Sequence, residues 1–108
     1  MTLNTAARPE PQLNVAHIRR FLEQEFQERE AIIRELAPSA VPNIDPVSWA
    51  TSAATRRVMD QIVAAQERLD AGTYGRCIRC EKAIAPARLD ILPYAETCVD
   101  CQRNVDKS

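Results

Sequence analysis

Apolar residues recur through the first half of the chain at three- and four-residue steps. One series runs Val15, Ile18, Leu22, Phe26, Ile33 and Leu36, interrupted at Arg29, and that spacing keeps a single face of an α-helix apolar. The opposite face carries Arg19, Glu23, Gln27, Glu30 and Arg34, the pattern of a solvated helix surface. Asn14 stands where its side chain caps the free amides of the first turn. Pro38, Pro42 and Pro46 then end the helix, because each removes a backbone donor and drives the preceding residue away from helical angles. Asp45 followed by Pro46 is a helix start, with an acceptor at the cap and a proline where a missing amide costs nothing. A second stripe follows at Ala50, Ala54, Val58, Ile62 and Leu69, with Met59 and Val63 beside it, until Gly72 offers a left-handed terminator.

Neither helix has enough core to stand alone, so a short proline-rich connection predicts an antiparallel hairpin, a slender rod with a loop at one end. The polar residues 1–12, with Pro9 and Pro11, predict a disordered tail. The expected division is a tail at 1–12, a helical hairpin at 13–71 with its tip loop at 38–48, and a distinct module at 72–108. That last boundary is marked by Gly72 and Gly75, the two glycines of the chain. The fold class is mainly α, a coiled-coil hairpin joined to a small cysteine module with a short C-terminal helix.

The chain has 108 residues and a formal net charge of −1, which fits one small domain that needs help to build a core. No block of Lys and Arg gathers of the kind that neutralises a run of phosphates, so direct nucleic-acid binding is not expected. No apolar run reaches the length of a membrane span, and residues 1–12 lack the apolar core of a signal peptide, so the expected location is the cytoplasm.

The module carries Cys77-Ile78-Arg79-Cys80 and, seventeen residues on, Cys98-Val99-Asp100-Cys101. Two residues between cysteines let a tight turn set both sulfurs on one edge of a metal, and the insert brings the second pair to the other edge. Four thiolates leave no open position, so one structural zinc ion is expected at Cys77, Cys80, Cys98 and Cys101. An iron–sulfur cluster also takes four thiolates, but compact pairs with a long insert are more usual for zinc. A thioredoxin-like redox site needs strand and helix alternation that is missing here. Arg76, Arg79 and Lys82 offset the net negative charge of a four-thiolate zinc centre. His17 is the only histidine, and no nucleophile and base pair forms around it, so the chain is not expected to be an enzyme.

The run Gly72-Thr73-Tyr74-Gly75-Arg76-Cys77, then Ile84, Ala87-Arg88-Leu89, Pro93 and Cys98-Val99-Asp100-Cys101, resembles the zinc-finger signature of the DksA/TraR family of bacterial transcription factors. The resemblance implies binding to RNA polymerase without a DNA site, by insertion of the hairpin through the secondary channel. It implies a tip pattern of two aspartates and an alanine, aligned here with Asp45, Ser48 and Ala50, so Ser48 replaces the second aspartate. That departure puts the tip's charge effect in question, but not docking. Trp49 is either an anchor on a partner or a plug over the tip, with the plug favoured. The resemblance also implies positions for the alarmone ppGpp, which fall on Gln61, Leu92 and Gln102. None is basic, so any effect on polymerase is expected to be weakly dependent on ppGpp or independent of it. A zinc-stabilised adaptor for another protein partner is the alternative. A hairpin that covers its own stripe gives no reason to expect more than a monomer.

Overall fold

The computed structural model describes residues 14–39 and 45–107. The expected tail at 1–12 lies outside the described residues, as do residues 40–44 of the expected tip loop. Four α-helices are present among the described residues: α1 (Val15–Leu36), α2 (Pro46–Ala71), α3 (Pro86–Ile91) and α4 (Val99–Lys107), with a 3₁₀ turn at Ala37–Ser39 closing α1. The only β pairing among them is an isolated antiparallel bridge between Arg76 and Ala83.

The caps follow the chemistry of their residues. Asn14 accepts a hydrogen bond from the His17 amide at 3.0 Å, and Asp45 accepts one from the Ser48 amide at 3.1 Å. Pro46 fills the first helical position, so α2 already occupies 46–48 and the tip connection is shorter than the 38–48 expected. Gly72 ends α2 with a left-handed φ of +79°, a conformation that a residue with a Cβ adopts only with strain.

α1 and α2 run antiparallel, and Arg19 near the start of α1 meets Asp70 near the end of α2 at 2.8 Å. Leu22, Ile62 and Ala65 are fully buried between them and Leu69 nearly so, with Ile18, Phe26 and Val58 packed around. The second stripe departs from expectation toward the tip, where Ala50 and Ala54 are exposed and Ser52 is buried. Each four-residue step turns a helix about 40° past a full circle, so three steps back from Ile62 rotate Ala50 about 120° off the buried face. Alternating three- and four-residue steps hold the face instead, through Ser52, Thr55, Met59, Ile62, Gln66 and Leu69, all buried or half-buried.

The cysteine module has its own small core of Cys77, Ile84, Leu89 and Ala95, bordered by Leu92, Cys98 and Cys101. Tyr74 packs against both cores, and its hydroxyl donates to the Pro93 carbonyl at 2.7 Å. Burial pushes the Tyr74 phenol above its ordinary range. Tyr94 reaches from the module onto the hairpin core, where the Arg29 guanidinium lies 5.5 Å from its ring centre. Glu25 holds the same guanidinium at 2.6 Å. The break in the first apolar stripe therefore has a use: Arg29 is one of the hairpin's contacts with the module.

Candidate functional site

The cysteines lie on two knuckles. The first is a turn in which the Cys77 amide donates to the Lys82 carbonyl at 2.8 Å and the Glu81 amide to the Cys77 carbonyl at 2.9 Å. The Arg79 amide points at the Cys77 sulfur at 3.4 Å. In the second knuckle α4 begins immediately after Cys98, and the Cys101 amide points back at the Cys98 sulfur at 3.4 Å. One bond from the Ile78 amide to the Glu96 carbonyl, 2.9 Å long, ties the knuckles together.

The four Sγ atoms fall within 4.8 Å of one another. A tetrahedron of thiolates around zinc, with zinc–sulfur bonds near 2.3 Å, needs sulfurs about 3.8 Å apart. Cys80 and Cys98 already stand at 3.8 Å. Burial is graded, with Cys77 buried, Cys98 and Cys101 intermediate and Cys80 exposed, so an ion held by the four would lie at the edge of the module core. The donor set fits one structural zinc.

Proton chemistry agrees. Burial works against a charged Cys77, but amides of Cys80, Cys98 and Arg79 outweigh it and bring Cys77 down to about 6. Cys101 is pushed up to about 12, first by its hydrogen bond with Cys98, then by burial and by the charge of Cys77. A thiolate at Cys77 thus works against one at Cys101, and a divalent cation offsets that repulsion by displacing the proton.

Positive charge gathers beside the cluster. Cys77 lines a cleft of about 400 Å³ with Arg68, Thr73, Arg76, Ile78 and Glu81. Arg68 has its Nε and Nη2 buried with no hydrogen-bond partner among the described residues. Buried guanidinium nitrogens without a partner are costly unless negative charge lies near, and four thiolates around a zinc ion, one of them from the Cys77 that lines the same cleft, would supply it. Sequence spacing singled out Arg76, Arg79 and Lys82 for this task and missed Arg68, which reads in sequence as an ordinary basic residue in the last turn of a helix.

The aligned ppGpp positions converge. Gln61, Leu92 and Gln102 line one cleft of about 340 Å³ together with Arg88, Glu96 and Thr97. Its polar groups are turned inward: Arg88 Nε donates to the Thr97 carbonyl at 2.9 Å, and the buried Thr97 hydroxyl donates to Gln102 Oε1 at 2.8 Å. Gln102 Nε2 in turn donates to Asp106 at 3.1 Å. The one arginine of this cleft is matched by Glu96, which is a poor setting for a ligand with several phosphates.

The tip residues lie at the far end of the hairpin. Asp45 is tied to Ser48, whose amide donates to one carboxylate oxygen and whose hydroxyl donates to the other at 2.8 Å. Those bonds hold the Asp45 carboxyl below the usual carboxylate range. Trp49 keeps 49% of its surface open and Val47 74%, so about half of the indole faces solvent. Ala50 is exposed beside them.

Residues 72–107 match the family model described as the prokaryotic dksA/traR C4-type zinc finger. Transcription factor DksA2 from Pseudomonas aeruginosa has a similar structure, at a TM-score of 0.71 and 23% identity over 96% of this chain and 95% of that one. The RNA polymerase binding protein and transcriptional regulator Dks from Chlamydia trachomatis L2 is similar at a TM-score of 0.55 and 22% identity, over 91% of this chain and 95% of that one. Among curated proteins no sequence matches the chain. The four-sulfur geometry and the matched segment agree that residues 72–107 form a zinc finger of the prokaryotic dksA/traR C4 type, on a chain whose fold is similar to that of DksA2.

Proposed function

We propose that this protein is a non-enzymatic transcription regulator that binds RNA polymerase, entering the secondary channel with its hairpin and making no sequence-specific contact with DNA. The observation that carries the reading is the combination of a dksA/traR zinc finger with an antiparallel hairpin whose described tip residues Val47 and Trp49 are exposed. In this reading residues 13–71 reach and residues 72–108 form the base. The partner-facing end comprises Asp45, Ser48, Trp49 and Ala50, and the protein works in the cytoplasm as a monomer. The inward-turned polar groups around Gln61, Leu92 and Gln102 support an effect that depends weakly or not at all on ppGpp. No described helix is long and apolar enough to cross a membrane.

The alternative, an adaptor for another protein, draws its support from Ser48, because the tip lacks the second carboxylate that the resemblance implies. Binding to purified RNA polymerase, measured in competition with another secondary-channel factor, separates the two. Mutual exclusion is expected. Simultaneous binding of both factors would remove channel entry.

A further inference from the structure

We propose that Ser48 is the positioning residue of the hairpin tip: it holds the one carboxylate there against its own helix, so that a partner meets the apolar side chains of Val47 and Trp49 and not a freely turning carboxylate. The inference rests on the docking reading above and names the chemistry of that contact, an apolar-lined, weakly charged pocket with room for an indole.

Three observations converge. Between Glu35 and Arg56 the sequence holds a single ionisable side chain, Asp45. Both oxygens of that carboxylate are engaged by Ser48, one by the amide at 3.1 Å and the other by the hydroxyl at 2.8 Å. Among the described residues, the most open large apolar side chains of this end, Val47 at 74% and Trp49 at 49% exposure, stand directly beside it.

The geometry decides what the carboxylate can do. A carboxylate has further lone pairs, but the two bonds fix its plane over the start of α2. Turning it outward to a metal ion or a basic group breaks a charge-assisted hydrogen bond and uncovers the first-turn amides. A second aspartate at this position would do the reverse, since it donates nothing and repels the first. Ser48 is therefore more than a missing carboxylate. It is the donor that keeps the remaining one at home, and it leaves recognition to surface that gains by desolvation.

The test uses the full-length, zinc-loaded protein. Manganese(II) is titrated in while line broadening is followed at the amides of residues 45–50. Wild type is expected to broaden there no more than at the exposed carboxylate of Glu67. Ser48→Asp is expected to raise the effect about fivefold through paired carboxylates, with Ser48→Ala between them. Tip broadening in wild type equal to that of Ser48→Asp would overturn the assignment. A second arm compares polymerase affinity of Trp49→Ala and Asp45→Asn, Asn being an equally good cap. Trp49→Ala is expected to lose about tenfold or more, the size of an aromatic anchor, and Asp45→Asn clearly less. The opposite order would overturn the apolar contact. If wild type itself does not bind polymerase, the docking reading fails, whereas the manganese arm still decides whether Ser48 restrains Asp45.

Discussion

The two ends of the hairpin are built on opposite principles. At the base, Leu22, Ile62, Ala65 and Leu69 interlock, and Tyr74 and Tyr94 carry that core across to the module. At the tip, the one buried side chain among the described residues of α2 before Ile62 is Ser52. The base is where apolar area leaves water, which is the main source of stability. The tip is held by a local cap and leaves its apolar residues in solvent. A molecule made this way keeps the cost of an exposed tip low, because the elements that fold it lie elsewhere.

Removing the metal should have the largest effect. Structural zinc contributes about 10–16 kcal/mol in small four-ligand modules, so chelation, or Cys77→Ser, is expected to abolish dispersed amide signals over residues 72–107 and to lower bound zinc from one ion to none. Binding should weaken as pH falls, because protons compete for the sulfurs and Cys101 holds its proton up to about 12 before metal displaces it. Zinc affinity measured across neutral to acid pH checks this, and a flat profile would conflict with proton displacement.

Next in size are the hairpin cores. Ile62→Ala, at full burial, is expected to cost about 2–5 kcal/mol in denaturant unfolding. Ala54→Ser, on the exposed surface toward the tip, should stay within about 0.5 kcal/mol. Equal losses at the two sites would erase the contrast between base and tip. The link between module and hairpin is smaller again: a double-mutant cycle of Arg29→Ala and Tyr94→Phe or Ala should give a coupling of about 0.5–1 kcal/mol for the alanine pair. The phenylalanine variant keeps the ring and should keep most of it.

The smallest effect belongs to the tip. Asp45 has a folded pKa below its ordinary value of 3.8, so its contribution is complete above that value and fades as pH falls through the lower folded value. The first turn of α2 should fray in that acid range while the Leu22–Ile62 core persists. Hydrogen exchange at Ser48 and Trp49 against that at Ile62 measures the difference, and the change in it with pH should shrink in Asp45→Ala, whose tip is already loose.

Local chemistry was the legible part of the sequence. Asn14, Asp45-Pro46 and Gly72 act within one turn of the chain, and each ends or begins a helix where its side chain or backbone requires. The paired cysteines were equally plain, since two short knuckles and a long insert leave few ways to bring four sulfurs together. The tip half of α2 was misread because four-residue steps through Ala50 and Ala54 drift around the helix, and because a buried serine carries no apolar signal. Arg29 and Arg68 were opaque for a different reason. Their partners, the Tyr94 ring and the cleft beside Cys77, come from a module that folds back on the hairpin, and no local pattern encodes that approach.

The central claim is that a zinc-fixed base presents the hairpin tip inside a larger machine. A photo-activatable cross-linking residue in place of Val47, in otherwise intact zinc-loaded protein mixed with RNA polymerase, tests it directly. Cross-links confined to the lining of the secondary channel near the catalytic centre, and lost on chelation, are the expected result. Cross-links spread over the outer surface of the enzyme, or unchanged after zinc is removed, would contradict the account.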